Sequence, residues 1–269
     1  MTLAFFVRVP VALLGFAVAS VYGIAIALLR RDKSRVAYDY AQLLRRLMQP
    51  PLGLRVTVEG EEKLTLRTPC VYIANHQSAY DVPVLAGLYR PGSVVIAKKE
   101  LRRIPFFGWL YVVTGNILID RGNRQHSVGR LREAEEAIQQ RGVSVWIFPE
   151  GTRARTPGRL LPFKKGAFYM AIGARVPLVP IVVSPIKHLF DPPNMVARPG
   201  RVTVRVLDPI ETVGVEEADV MALMAEARSR MQAALDELTE RHLGAATPPE
   251  VVQERGGTAA VAREGEPSE

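Results

Sequence analysis

The stretch Val71-Tyr72-Ile73-Ala74-Asn75-His76-Gln77-Ser78-Ala79-Tyr80-Asp81 decides how this chain is read. Its first four residues are apolar and β-prone, the next four are polar and turn-forming, and a helical run opens near Asp81. A buried strand that ends in polar residues and turns into a helix is the repeating unit of an α/β sheet. Outward from it, short β-rich runs recur at 54–58, 94–97, 117–119, 143–148, 178–183 and 202–207. Helical patterns lie between several of them, most clearly at 124–141, and a long helical pattern closes the domain at 216–242. This alternation predicts an α/β domain with a mixed, largely parallel sheet flanked by helices.

Before that domain the pattern is different. Residues 9–29 contain no charged side chain, with Arg8 ahead of the run and Arg30, Arg31, Lys33 and Arg35 behind it. About 20 apolar residues suffice to cross a bilayer. A cleavable leader carries its charge ahead of the apolar core, so this segment reads as retained. Basic residues after the segment predict that the domain that follows lies on the cytoplasmic face. Residues 33–49 then put Val36, Tyr40, Leu43, Leu44 and Leu47 at helical spacing, ending at Pro50-Pro51. The two segments form either one span followed by an interfacial helix or a helical pair that dips into one leaflet. Pro10, Gly15, Ser20 and Gly23 weaken the first helix. The expected organisation is an N-terminal membrane-anchoring helical segment at 1–50, an α/β domain at 51–243 and a disordered tail at 244–269.

Composition narrows the partners without choosing one. The 269 residues are 48% hydrophobic and carry a formal charge of +8. The acidic tail holds five Glu and two Arg, so the body is more basic than the whole. Such a body suits nucleic acid, anionic lipid headgroups or phosphorylated small molecules. Cys70 is the only cysteine, which excludes an intramolecular disulfide and a thiolate zinc cluster; within its apolar run it reads as a core residue.

The polar end of the quoted stretch carries the chemistry. An imidazole is the side chain suited to taking a proton from an alcohol at physiological pH, and His76 supplies one. Asp81, five residues on, reaches back to the imidazole when the chain turns into a helix, and fixes its tautomer. No Gly-x-Ser-x-Gly occurs, so a nucleophile elbow is unsupported, and the substrate's own hydroxyl is favoured over Ser78 as nucleophile. A second polar turn, Phe148-Pro149-Glu150-Gly151-Thr152-Arg153, follows the apolar run 143–147 and emerges at another strand end. Arg153 offers a planar fork of donors suited to phosphate. Glu150 is expected to hold Arg153 or a substrate hydroxyl. Lys164 and Lys165 precede a helical opening that attracts anions. Lys98 or a backbone N–H is the candidate donor for an oxyanion formed on an attacked carbonyl. Ile104, Pro105, Phe106, Phe107, Trp109 and Leu110 form an apolar patch that lines a channel for an apolar group, docks on the membrane, or is ordinary core.

The chain resembles the glycerolipid acyltransferase family, in particular its bacterial branch acting on lysophosphatidate. Four ordered blocks carry the resemblance. The first is Asn75-His76-Gln77-Ser78 with Asp81. The second runs from Lys98-Lys99-Glu100-Leu101 through Ile104-Pro105-Phe106-Phe107-Gly108-Trp109 to Ile119-Asp120-Arg121. The third is Phe148 to Arg153, followed by Ala154 where the family often has Ser, and the fourth is Val176-Pro177-Leu178-Val179-Pro180-Ile181. The resemblance implies transfer of a fatty acyl group from acyl-carrier protein or acyl-coenzyme A to a lysophosphatidate hydroxyl, with His76 and Asp81 catalytic. It also implies Arg121 as a second phosphate ligand, membrane lipids as partners, and no metal or bound cofactor. Other lysolipids or glycerol 3-phosphate as acceptor, an acyl ester or thioester hydrolase, and a non-catalytic basic protein are the competing readings. Nucleic acid is not expected, because charge alone gives no reason for the first and third blocks to occur together.

Overall fold

A computed structural model describes residues 3–30, 35–120 and 124–244, which excludes Arg31, Lys33, Arg121 and nearly all of the expected tail. In chain order the elements are helices α1 (Leu3–Leu29) and α2 (Val36–Leu52), strand β1 (Leu54–Glu59), α3 (Lys63–Leu66), β2 (Val71–Ala74), α4 (Asp81–Leu85) and β3 (Ser93–Lys98). Then follow α5 (Phe107–Val113), β4 (Ile117–Ile119), α6 (Arg124–Arg141), β5 (Ser144–Ile147), α7 (Gly166–Ala174) and β6 (Leu178–Val183). A short ribbon of β7 (Phe190–Asp191) and β8 (Val196–Ala197) precedes β9 (Gly200–Val206) and the closing helix α8 (Val220–Leu243).

Seven strands form one sheet in the order β1-β9-β6-β2-β5-β3-β4. Every neighbouring pair is parallel except β6 with β9, so the sheet is mixed and mostly parallel, as the strand and helix alternation predicts. The quoted strand β2 sits near the centre, with Val71 opposite Val145 on one side and Leu178 on the other. All four β2 residues are buried, which is why the strand reads as a continuous apolar run. Its alternate side chains feed two cores. Val71 and Ile73 pack with α6, α7 and α8 through residues such as Ile138, Phe168 and Leu235. Tyr72 and Ala74 face the opposite layer, with Leu52, Leu64, Val84 and Leu85. Full burial of each large apolar side chain contributes about 1.5–3 kcal/mol, so both faces are strongly specified. A one-residue slip of β2 would exchange the two sets.

Helices α1 and α2 pair antiparallel. A Cβ at Gly15 would lie 2.9 Å from the Leu47 carbonyl oxygen, and one at Gly23 would lie 2.7 Å from Leu110. These glycines are sites of close approach, and the Ser20 hydroxyl donates to the Phe16 carbonyl within the same helix. The sequence expectation treated all three as weaknesses; packing makes them contacts. Helix α2 also continues past the expected stop at Pro50. Both prolines lie in its last turn, and the left-handed Gly53 caps it with its N–H facing the Gln49 and Pro50 carbonyls. Cys70 is fully buried, and burial pushes its thiol up to about 11, in keeping with a core role.

Candidate active site

Three adjacent strand ends build the site. Beyond β2 the chain turns through Asn75 to Tyr80 into α4, beyond β5 it runs through Phe148 to Arg153, and β6 ends at Val183, followed by Ser184. Asn75 ties the first and third together: its amide donates to the Val183 carbonyl at 3.0 Å and its side-chain oxygen accepts the Val183 N–H at 2.7 Å. Gln77 reinforces the tie by donating to the Val183 and Ser184 carbonyls at 2.9 and 3.1 Å.

His76 and Asp81 meet. His76 Nδ1 lies 2.6 Å from Asp81 Oδ2. The same carboxylate oxygen accepts the backbone N–H groups of Gln77 at 2.8 Å and Ser78 at 2.9 Å. Asp81 has no exposed surface, whereas the His76 side chain is 18% exposed. A carboxylate held this way fixes Nδ1 as the protonated nitrogen and leaves Nε2 as a base. Phe148 stacks on the imidazole with ring centroids 4.2 Å apart and planes 16° from parallel, which restricts the ring's rotation. Asp81 Oδ1 is buried without a partner among the described residues. Ser78 is committed to the turn, its hydroxyl accepting the Tyr80 N–H at 3.2 Å.

Glu150 occupies a different place from the one expected of it. Its side chain is buried; Oε1 accepts the His76 N–H at 2.8 Å and Oε2 accepts the Leu161 N–H at 2.9 Å. It therefore fastens the catalytic loop to the loop after β5 and makes no bond to Arg153. Ala154 adds a second tie by donating its N–H to the His76 carbonyl at 2.8 Å. Burial holds the Glu150 carboxyl above its ordinary value of 4.5, partly offset by the two backbone donors. A raised folded-state value means that the folded protein holds the proton longer than the unfolded chain does. Stability from this group is therefore greatest below about 4.5 and falls as pH rises towards the raised value. Urea unfolding of Glu150→Gln is expected to lack that decline. The variant is nonetheless weaker by about 1–3 kcal/mol at neutral pH, because one backbone donor loses its acceptor.

The cationic candidates differ in setting. Arg153 is exposed and has no ion pair among the described residues; Thr152 is also exposed, and Gly151 adopts a left-handed φ of 69°. A Cβ at Gly151 would lie 2.8 Å from Lys164 Cε, so the Lys164 stem lies across this turn. Lys165 is exposed at the start of α7. Lys98 closes β3, one strand beyond β5, and is exposed at the same end of the sheet as His76. Arg121 lies outside the described residues. The ties through Asn75, Gln77 and Phe148 carry no sequence signal beyond their position next to the motifs, since each depends on a partner more than 70 residues away.

The fold and this dyad define an α/β enzyme with a His–Asp pair at the carboxyl end of a central parallel strand. Residues 55–184 match the acyltransferase family model. The 1-acyl-sn-glycerol-3-phosphate acyltransferase of Escherichia coli is 40% identical over 191 residues, covering 71% of this chain and 77% of that one. The enzyme of the same name from Saccharomyces cerevisiae is 35% identical over 238 residues, covering 87% and 78%. The crystal structure of the 1-acyl-sn-glycerophosphate (LPA) acyltransferase PlsC from Thermotoga maritima superposes with a TM-score of 0.71 at 26% identity, covering 88% of this chain and 95% of that one. The chain belongs to the acyltransferase family.

Proposed function

We propose that this protein transfers a fatty acyl group from acyl-carrier protein or acyl-coenzyme A to the sn-2 hydroxyl of 1-acyl-sn-glycerol 3-phosphate, forming phosphatidate. The observation that carries the reading is the 2.6 Å contact between His76 and a fully buried Asp81, beside the Phe148 to Arg153 turn. His76 Nε2 takes the proton of the acceptor hydroxyl as its oxygen attacks the thioester carbonyl. The tetrahedral intermediate collapses, the carbon–sulfur bond breaks, and the leaving thiolate receives the proton from the imidazolium. Asp81 steadies that imidazolium without itself becoming protonated. The Gln77 and Ser78 N–H groups are taken by Asp81, so the oxyanion falls to another donor, for which Lys98 is the candidate. Side chains and the two substrates supply every step of this route.

Arg153 is the proposed ligand of the acceptor phosphate, with Arg121 as its partner. Arg153→Gln is expected to raise KM for the phosphorylated acceptor by about 10–100-fold while leaving KM for the thioester near normal, because a charged hydrogen bond contributes about 1.5–3 kcal/mol. Initial-rate measurements with each substrate varied in turn check this. A panel of lysolipids and glycerol 3-phosphate, each offered with both donors, tests the acceptor. Release of free fatty acid independent of any acceptor would replace the reading by hydrolysis.

The enzyme is proposed to work on the cytoplasmic face of a membrane. Among the described residues, α1 contains the one helix apolar and long enough to span, at 4–29, yet 39% of its most apolar window is buried in the protein. Its first half is tied to the catalytic domain by Ala12, which packs in one core with Leu54 of β1, Tyr72 of β2 and Val202 of β9, and its far half packs on Leu110 of α5. A helix spanning a bilayer separates its ends by about 30 Å of hydrocarbon. Contact of both halves with one domain favours the alternative in which the α1–α2 pair enters a single leaflet.

A further inference from the structure

Helix α5 and the turn before it stand out as a surface that the catalytic reading does not use. Phe107 and Leu110 point inward, the first meeting Phe16 of α1 at a centroid distance of 5.1 Å and the second 2% exposed. The other apolar side chains point out: Trp109 is 73% exposed and Phe106 55%, with Ile104 and Val112 also exposed. Phe106 holds a left-handed φ of 62°, a strain of about 1–3 kcal/mol for a bulky residue, and gains no burial from it. Phe16 and Gly23 pack α5 against α1, whose Leu13, Leu14, Leu28 and Leu29 are all exposed.

Beside the apolar surface is a cavity of about 580 Å³. The turn Lys99–Arg103 supplies Lys99, Glu100, Arg102 and Arg103 to it, α6 supplies Arg130, Asp120 lines it beyond β4, and Val112 forms an apolar wall, so its four cations face two carboxylates. Lys99 pairs with Asp120 and Arg130 with Glu133, while Arg102 and Arg103 have no ion pair among the described residues. Unpaired guanidiniums next to an exposed Trp and Phe match a bilayer interface, where aromatic rings sit at headgroup depth and arginines meet phosphates.

We propose that α5 and the Lys99–Arg103 turn form a second membrane contact, in which Phe106 and Trp109 enter the interface and Arg102 with Arg103 bind the phosphate of an anionic phospholipid. This inference rests on the proposed membrane association and is indifferent to the identity of the acyl acceptor. The contact pins the β3–β4 edge of the sheet to the leaflet, so that α1 alone does not set the angle at which the carboxyl end of the sheet meets the lipid. A thioester donor competing for the same cations is the rival occupant, and the apolar surround disfavours it because soluble donors need no exposed Trp beside their phosphate.

The test uses the full-length protein and the fact that its second tryptophan, Trp146, is buried. Vesicles of phosphatidylcholine brominated on the acyl chains, with and without phosphatidylglycerol, are added while tryptophan emission is followed. Strong quenching that disappears in Trp109→Phe is expected. Arg102→Gln with Arg103→Gln should raise the anionic lipid needed for half-maximal quenching by roughly 30-fold, from about fivefold for each cation near the surface. Arg102→Lys with Arg103→Lys should restore most of it, which a merely structural role would not. Failure to bind vesicles at all overturns both the membrane reading and this contact. Binding with Trp109 still open to iodide overturns the contact alone. Quenching unaffected by the glutamine pair, with or without a raised KM for the thioester, removes the lipid phosphate from the cavity.

Discussion

His76→Ala is expected to lower acyl transfer by about 10²–10⁴-fold, the scale of a positioned general base. The side chain makes one described hydrogen bond, to Asp81, and stacks on the half-buried Phe148. The backbone N–H of residue 76 still reaches Glu150, so the loop tie survives the change. Circular dichroism and vesicle binding should therefore match the parent protein. Turnover close to normal in a folded His76→Ala sample would remove the proposed mechanism. His76→Gln is the companion: it keeps a polar side chain but no titratable base, and the same loss is expected.

The second large effect is at Asp81. Asp81→Asn is expected to lower turnover by up to about 10⁴-fold, because an amide lets the imidazole adopt the wrong tautomer. Unlike His76, this position also supports the fold. One carboxylate oxygen takes three donors, two of them the backbone N–H groups of Gln77 and Ser78. Asp81→Ala leaves those two donors buried without an acceptor, at about 1–3 kcal/mol each. The asparagine variant keeps an oxygen for them and should unfold in urea near the parent midpoint, whereas the alanine variant should lose both activity and stability. Equal activity loss with equal destabilisation in the two variants would mean that Asp81 serves the loop and not the imidazole.

Why the two residues could be paired from the chain alone is a matter of distance. Five positions separate them, and a strand end followed by a helix opening gives few ways to place the two side chains apart. The strands were legible for a related reason. Val71 to Ala74 and Leu178 to Val183 are buried on both faces, so each shows an uninterrupted apolar run. Glu150 was not legible. A carboxylate beside an arginine in sequence suggests an ion pair, but the sharp turn at Gly151 separates them, and Glu150 points inward to the His76 and Leu161 N–H groups. The helical pair at the start was legible as apolar helices, while its attachment was not, because the contact of Gly23 with Leu110 joins residues 87 positions apart.

By itself, the sequence determined the class of sheet, the His76 and Asp81 pair and the apolar character of the first helix, since each is encoded in residues close together along the chain. The tertiary structure alone decided which strand ends adjoin, that Asn75 and Gln77 grip the end of β6, that Glu150 is a buried fastener, and that Phe106 and Trp109 stay outside the core. Those outcomes depend on the order β6-β2-β5 in the sheet and on how α5 meets α1. Strand order is fixed by burying both faces of the sheet at once, a condition on the whole chain that no local pattern of residues records.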